Sequence, residues 1–248
     1  MKITAPGNLL GRTKFSHFHY AARVSIISNP GLLLLLVISI GLSATAAEGE
    51  HNFGKWEKEI AAYEQKDRTN PPPKGADLFI GSSTIRLWTT LAEDFPRNHV
   101  INRGFGGSEI LDSTHFAERI IFPYEPRTIF LRAGGNDLWA GKTPEEVFGD
   151  FKGFVEKIRG KLPDTEIVFI SLSPSIARWK QADKEKALNK MAEEYIRQEP
   201  RLKYIESYSL PLGPDGQPRP ELFVADKLHF SGEGYKLLAE RVRPFLPK

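Results

Sequence analysis

The chain is predicted to adopt an α/β fold in which a five-stranded parallel sheet is covered by helices on both faces. Short, almost wholly apolar runs alternate with helical patterns between residues 77 and 243. Such runs are typical of parallel strands that are buried on both sides, and the alternation is typical of strand–helix–strand units. The 248 residues suffice for one such domain plus a targeting segment.

Residues 1–46 are predicted to be a secretory signal peptide. A basic region is followed by an apolar run at 31–42 and by the small-residue motif Ala44-Thr45-Ala46, after which we expect cleavage. The apolar run is short for a membrane span, which needs about 20 residues, so an uncleaved anchor is the alternative. The domain is therefore expected to be exported, periplasmic or extracellular, and to touch a membrane only through an uncleaved N-terminal segment.

The charge distribution argues against a nucleic-acid partner. The net charge is +3, but residues 1–46 contain four basic residues and no acidic one. The remainder holds 30 basic and 31 acidic residues and shows no basic stripe that would neutralise phosphates. The chain has no cysteine, which excludes disulfides, thiolate metal sites and a cysteine nucleophile.

Residues 47–75 are predicted to form a helix and a stiff connector ahead of the main domain at 76–248. Phe53, Trp56, Ile60 and Tyr63 fall on one face of a helix over 53–66. Asn70 and the three prolines after it end that helix. The sequence leaves open whether this helix packs on the core.

The elements of the main domain follow from pattern and length. The predicted strands are 77–81, 99–102, 128–133, 166–172 and 202–206, and the predicted helices are 84–94, 108–121, 144–160, 181–198 and 232–243. Thr143 before Pro144 is a favourable helix start. In an open parallel sheet, ligands bind beyond the carboxyl ends of the strands, so the segments that follow the strands are the ones to inspect.

Four such segments carry groups suited to acyl transfer. Ser83 follows Gly81 after the first strand, where a helix N-terminus offers N–H groups to an oxyanion. Gly107 ends a glycine-rich loop after the second strand, and Asn136 follows the third. Asp226 lies three residues before His229, close enough to bond its imidazole and fix the tautomer. Taken alone, the serine is more often part of a turn and the glycines part of a plain loop, and the other residues could be a cap or surface groups; only their combination predicts an acyl-transfer site.

In that order, these segments resemble the four sequence blocks of the SGNH (GDSL-like) hydrolase superfamily, particularly its platelet-activating-factor acetylhydrolase-like and lysophospholipase-like bacterial branch. The resemblance extends from about residue 77 to the C-terminus. It implies a three-layer α/β/α flavodoxin-like fold. It also implies a Ser83–His229–Asp226 triad and an oxyanion hole formed by Ser83, Gly107 and Asn136.

One position departs from the family pattern, in which the first block is usually Gly-Asp-Ser. Here it is Gly81-Ser82-Ser83, which preserves a nucleophile and leaves Ser82 as a second candidate. Ser83 is preferred because it lies nearer the helix N-terminus. The implied mechanism is two-step hydrolysis of a carboxylic ester with a short acyl or acetyl group, and it requires no metal or organic cofactor.

Some residues near these segments are candidates for substrate contact. Trp139 and Trp179 follow predicted strand ends, where aromatic rings either line a pocket or anchor packing. Arg103 could meet an anionic substrate, as could Arg132, or each could form a surface ion pair. The lysine- and glutamate-rich stretch 180–198 is interpreted as a solvated helix face.

Three functions are compatible with this pattern. The first is an esterase acting on a small-molecule, glycan or lipid ester. The second is an O-acyltransferase that uses the same residues with a sugar hydroxyl in place of water. The third, a non-catalytic glycan-binding module, predicts loss of the serine, asparagine or histidine, and all three are present. The oligomeric state is not predicted.

Overall fold

The computed structural model of the protein describes residues 51–247, so the predicted signal peptide lies outside the described part. Five strands form one parallel sheet in the order β2-β1-β3-β4-β5, which confirms the predicted fold class. The strands are β1 (Asp77–Gly81), β2 (Val100–Gly104), β3 (Thr128–Arg132), β4 (Glu166–Ile170) and β5 (Leu202–Ile205).

Nine α-helices accompany the strands in the described part of the chain. They are α1 (Glu57–Thr69), α2 (Ser83–Arg86), α3 (Leu91–Asp94), α4 (Ile110–His115), α5 (Ala117–Ile120), α6 (Gly135–Trp139), α7 (Pro144–Lys161), α8 (Ala182–Ile196) and α9 (Gly232–Val242). Short 3₁₀ turns precede α1 and α8 and follow α5 and α9. Within residues 51–247, no helix combines the length and apolarity needed to cross a membrane.

Alternate side chains along each strand belong to two apolar clusters, one on each face of the sheet. Leu78 and Ile80 of β1 lie in the cluster that packs against α1, α4, α5, α7 and α8. Phe79, between them, lies in the cluster that packs against α2, α3 and α9, where its ring stacks on Phe130 with centroids 4.4 Å apart. Each large side chain buried in this way stabilises the fold by roughly 1.5–3 kcal/mol. The alternation explains why the strands are apolar throughout.

The first helix belongs to the domain. Ile60 of α1 is fully buried in the larger cluster, and the guanidinium of Arg119 on α5 bonds to Glu57 and Glu64 of α1. The helical segment predicted at 53–66 begins as a 3₁₀ turn at Phe53–Trp56 and then continues as α1.

Two predicted helices are shorter than expected, and both are interrupted. The 84–94 segment is split into α2 and α3. The side-chain amide of Asn102 on β2 donates a hydrogen bond to the carbonyl of Ile85 at 2.6 Å, and this bond competes with the helical hydrogen bond that the carbonyl would otherwise accept. The 108–121 segment is split at Phe116 into α4 and α5. The helix start at Thr143 is confirmed, since its side chain and that of Glu146 form a capping box.

The strand order places the switch point between β1 and β3. The chain leaves β1 towards β2 on one side and returns to β3 on the other, so the crevice beyond these two strands is where a ligand is expected.

Candidate active site

Ser83 stands at the carboxyl end of β1, where the chain turns sharply out of the sheet. The turn depends on Gly81, which has φ +134°, and a Cβ at this position would lie 2.1 Å from the carbonyl oxygen of Arg132 on β3. Only glycine fits such a close approach. Ser82 then bonds through its N–H to the same carbonyl at 3.1 Å, and Ser83 begins α2.

The imidazole of His229 joins Ser83 to Asp226. Its Nε2 lies 2.9 Å from Oγ of Ser83, and its Nδ1 lies 2.6 Å from Oδ2 of Asp226. With Nδ1 protonated and bonded to the carboxylate, Nε2 is the acceptor for the serine hydroxyl. This is the arrangement of a nucleophile, its base and the group that orients the base.

Asp226 is held as an anion by its own loop. Its Oδ1 accepts hydrogen bonds from the backbone N–H of His229 at 3.0 Å and of Leu228 at 2.9 Å. The backbone bond from His229 has the largest effect on the pKa of Asp226; with the side-chain bond to His229 and the backbone bond from Leu228 it lowers that pKa to about 2, although the side chain is half exposed. The loop is closed by Val224, whose N–H donates to the carbonyl of His229 at 2.9 Å.

Asn136 lies at the start of α6, just beyond β3. Gly134 precedes it with φ +115°, which turns the chain from the strand into the helix. One amide N–H of Asn136 donates to the carbonyl of Ser108 at 2.9 Å, and Nη1 of Arg178 donates to its Oδ1 at 2.9 Å. Because arginine is only a donor, this contact fixes which amide atom is oxygen. Asn136 therefore ties β3 to the loop after β2 and retains one N–H for a ligand.

Gly107 lies in that loop, with φ +79°, next to the indole of Trp56. Asn136 contacts this loop at Ser108, the residue after Gly107, by donating a hydrogen bond to its carbonyl. Gly107 itself does not line the cleft described below. Its role as an oxyanion donor stays a prediction.

Ser83, Asn136 and His229 open onto one cleft with a cavity of about 70 Å³. The walls include apolar side chains from the C-terminal loops, and the floor is polar. Its polar lining comprises Ser82, Thr84, Arg132, Ser173, Ser175, Arg178, Gln181 and Glu185. Among residues 51–247, no group of three or more His, Asp or Glu side chains is arranged to hold a metal ion.

A family model, the GDSL-like lipase/acylhydrolase family, matches residues 80–237, well over half of the chain. The chain belongs to this family. The matched range contains Ser83, Gly107, Asn136, Asp226 and His229. None of the curated protein sequences is significantly similar to the chain.

Solved structures support the fold assignment of this family member. A protein from Streptococcus pneumonia described as a platelet activating factor superposes with a TM-score of 0.70 at 20% identity, covering 79% of this chain and 94% of its own. A Bacteroides fragilis protein described as an acylhydrolase gives 0.64 at 20%, covering 75% and 94%. An acetylxylan esterase from Geobacillus stearothermophilus, a catalytic mutant, gives 0.57 at 14%, covering 71% and 96%. Family and fold together identify a hydrolase of ester bonds.

The predicted substrate contact of Arg103 is wrong. In this GDSL-like hydrolase Arg103 is buried behind the sheet edge, where its guanidinium pairs with Asp67 at 2.5 Å and lies over the rings of Tyr63 and Tyr124. Of the two alternatives for Arg132, the surface ion pair is wrong, because the side chain is buried and lines the cleft; contact with an anionic substrate stays a prediction.

Trp139 and Trp179 do not line the cavity itself. Trp139 is 59% exposed and carries the guanidinium of Arg178 over its ring at 4.9 Å, so it supports a lining residue. Trp179 is the chain neighbour of Arg178 and is 36% exposed. Both tryptophans therefore lie near Arg178, outside the cavity.

Helix α8 and the turn before it contribute buried polar residues to the site that the sequence pattern did not predict. The segment 180–198 was expected to be solvated, yet Gln181, Glu185 and Asn189 are buried. Their spacing of four residues places them on one helix face, a periodic polar stripe that could have revealed them. Asn189 holds the end of β4 by bonding both the N–H and the carbonyl of Leu172 at 2.8 Å.

Proposed function

We propose that this protein is a serine esterase that hydrolyses short-chain carboxylic esters, with Ser83 as nucleophile. The observation that carries the proposal is the position of His229, between Oγ of Ser83 at 2.9 Å and Oδ2 of Asp226 at 2.6 Å. A serine hydroxyl is a weak nucleophile at neutral pH, and an oriented imidazole is what activates it.

The reaction would proceed in two steps. His229 removes the Ser83 proton as Oγ attacks the ester carbonyl, and the protonated imidazole then delivers that proton to the leaving alcohol. Asp226 stabilises the imidazolium. Water attacks the acyl-enzyme in the second step, with His229 again as base.

The developing oxyanion needs donors already in place. The free N–H of Asn136 is the one with the best-defined geometry, because Ser108 and Arg178 hold the amide from both sides. The N–H groups of Ser83 and Gly107 are the other donors that the family resemblance implies.

A short acyl group suits the cleft, because its lining is mainly polar and offers little apolar surface to an extended chain. The acetylxylan esterase among the structural neighbours is in line with this choice, although its 14% identity extends only to the fold.

Export of the protein is part of the proposal and rests on the sequence of residues 1–46. N-terminal sequencing of the protein recovered from the periplasm or medium of a bacterial host tests it. Recovery of a chain that begins at Ala47 is expected, and a chain retained in the cytoplasm with Met1 intact contradicts it.

The hydrolysis of 4-nitrophenyl acetate tests the catalytic proposal. The wild type is expected to turn over, and Ser83→Ala to lose roughly four to six orders of magnitude in kcat. Ser82→Ala is the matched control, one residue away in the same cleft, and it is expected to retain most activity. Loss of activity in Ser82→Ala alone would assign the nucleophile to Ser82.

A further inference from the structure

Two arginines that line the cleft have no carboxylate partner within residues 51–247. Among the arginines of residues 51–247, six have buried or half-buried side chains. Four of these lie within 4.0 Å of a carboxylate: Arg103, Arg119, Arg159 and Arg219. The other two, Arg132 and Arg178, are the two that line the cleft. Burial of a cation without a counter-charge costs free energy, so this coincidence calls for a functional explanation.

Arg132 is bonded only to neutral acceptors. Nη1 donates to the carbonyl of Ser171 and, at 3.3 Å, to Oγ of Ser207, while Nη2 donates to Oγ of Ser173 at 2.7 Å. Its Nε is buried and has no acceptor among the described residues. These bonds hold the guanidinium in place and leave its positive charge uncompensated.

Arg178 stands nearer the mouth of the cleft and has donors to spare. Its Nη1 bonds to Oδ1 of Asn136 at 2.9 Å and its guanidinium rests on the ring of Trp139. Within residues 51–247, Nε and Nη2 of Arg178 make no hydrogen bond to the protein. The guanidinium is thus held by Asn136 and Trp139, and its remaining N–H groups have no acceptor in the described residues.

Glu185 does not neutralise the two cations. It attracts both arginines but lies beyond contact distance, and its Oε1 accepts from Nε2 of Gln181 at 2.7 Å. Its other oxygen is buried without a partner. Burial raises the pKa of Glu185 to about 7, so the Glu185 carboxyl group is protonated in a large fraction of protein molecules at neutral pH. The floor of the cleft therefore has a net positive charge at and below neutral pH.

We infer that the ester substrate carries a carboxylate, which Arg178 binds through its unused N–H groups while Arg132 adds positive charge from below. This inference rests on the proposed esterase function and specifies its substrate class. A carboxylate is planar and matches the fork of a guanidinium.

The test compares esters with and without the carboxylate, using the full chain. On the alcohol side the pair is 3-acetoxybenzoate and its neutral isostere 3-acetoxybenzamide. On the acyl side it is monomethyl succinate and methyl succinamate. The carboxylate member of at least one pair is expected to have the higher kcat/KM by roughly ten- to a hundred-fold, the range for hydrogen bonds to a charged group. The pair that discriminates tells which side of the ester faces Arg178.

Arg178→Gln is expected to remove most of that preference through KM of the carboxylate ester. The variant also disturbs Asn136, which lowers the rate for both members of a pair, so the ratio between them isolates the contact with the anion. Arg241→Gln, an exposed arginine on α9, is the control and keeps the preference. Equal rates within both pairs, or a preference that survives Arg178→Gln, would overturn the inference.

A binding measurement covers the case in which turnover is slow. Titration calorimetry with Ser83→Ala is expected to show 3-acetoxybenzoate binding at least about ten-fold more tightly than 3-acetoxybenzamide. Tighter binding of 3-acetoxyphenyl phosphate than of the carboxylate would overturn the assignment to a carboxylate. Failure of the esterase function is distinguishable, because then the wild type would hydrolyse neither the charged nor the neutral esters faster than they hydrolyse without protein.

Discussion

Nη1 of Arg178 donates a hydrogen bond to Oδ1 of Asn136 over 2.9 Å, and this contact determines how the amide faces the cleft. A guanidinium cannot accept a hydrogen bond, so the amide nitrogen must point the other way, towards the carbonyl of Ser108 and the cleft. The positive charge also polarises the amide, which makes its free N–H a better donor to an oxyanion.

Asn136→Ala is expected to lower kcat for 4-nitrophenyl acetate by roughly a hundred- to a thousand-fold, the effect of removing one oxyanion donor. KM should change little, because the bond strengthens only as negative charge develops. Steady-state kinetics measure both constants. A loss confined to KM would show that Asn136 binds the ground state and is not an oxyanion donor.

Asp226→Asn is expected to reduce kcat by roughly two to four orders of magnitude, because the amide no longer selects the productive tautomer of His229. The fold should be unaffected, since Asp226 is 48% exposed. Because its pKa is about 2, Asp226 stays ionised throughout the working range, and protonation of its carboxylate is not expected to limit the rate there. A pH–rate profile of the wild type whose acidic limb lies near 3.8, the ordinary pKa of an aspartate, would contradict this.

Gly81→Ala is expected to destabilise the fold by about 3 kcal/mol or more, since its Cβ would collide with the carbonyl of Arg132 and the residue has φ +134°. Gly149→Ala in α7 is the matched control, because a Cβ there meets open space in a helix interior. It should raise stability by about 0.5–1 kcal/mol. Urea unfolding measures both changes. A loss of under about 1 kcal/mol in Gly81→Ala would refute the close approach.

Glu185→Gln is expected to stabilise the protein above pH 7 and to leave it nearly unchanged below pH 4.5. Burial raises the pKa of Glu185 from 4.5 in the unfolded chain to about 7 in the folded protein. The folded wild type therefore loses stability as the pH rises from 4.5 to 7, because the buried carboxyl group must ionise, and below pH 4.5 no such loss occurs. The expected gain at pH 8 is up to about 3 kcal/mol.

Unfolding free energies at pH 4.5 and 8 test this, with exposed Glu240→Gln as control. Asp137, whose pKa burial also raises to about 7, contributes equally to wild type and variant and cancels. A constant difference across pH would mean that Glu185 is ionised throughout.

The sequence predicted those parts of the fold that depend on local pattern. All five strands were found, because each is a short run buried on both faces. The predicted strand ends differ from the observed ones where long-range contacts determine them. Strand β4 ends at Ile170, because the N–H and the carbonyl of Leu172 bond to the side chain of Asn189 and not to a neighbouring strand. The break between α2 and α3 likewise depends on Asn102 from another strand.

The site, like the fold, contains residues that local sequence predicts and residues that depend on long-range contacts. Ser83, Asn136, Asp226 and His229 occur in segments with recognisable spacing, and the structure brings Ser83, His229 and Asp226 into hydrogen-bonding contact. Arg178 has no such signature, because its relation to Asn136 spans 42 residues and depends on how the loop after β4 folds back. Arg103 had the right position in the sequence, yet its side chain points to Asp67 because that contact lies on the far side of β2.

The most direct test is to trap the acyl-enzyme. The wild type is mixed with 4-nitrophenyl acetate, quenched in acid within milliseconds to seconds, digested, and examined by mass spectrometry for an acetyl group. An acetyl group on Ser83, absent when His229→Ala is treated identically, is the predicted result. Acetylation of Ser82, or turnover without acetylation of either serine, would contradict the assignment of Ser83 as the nucleophile.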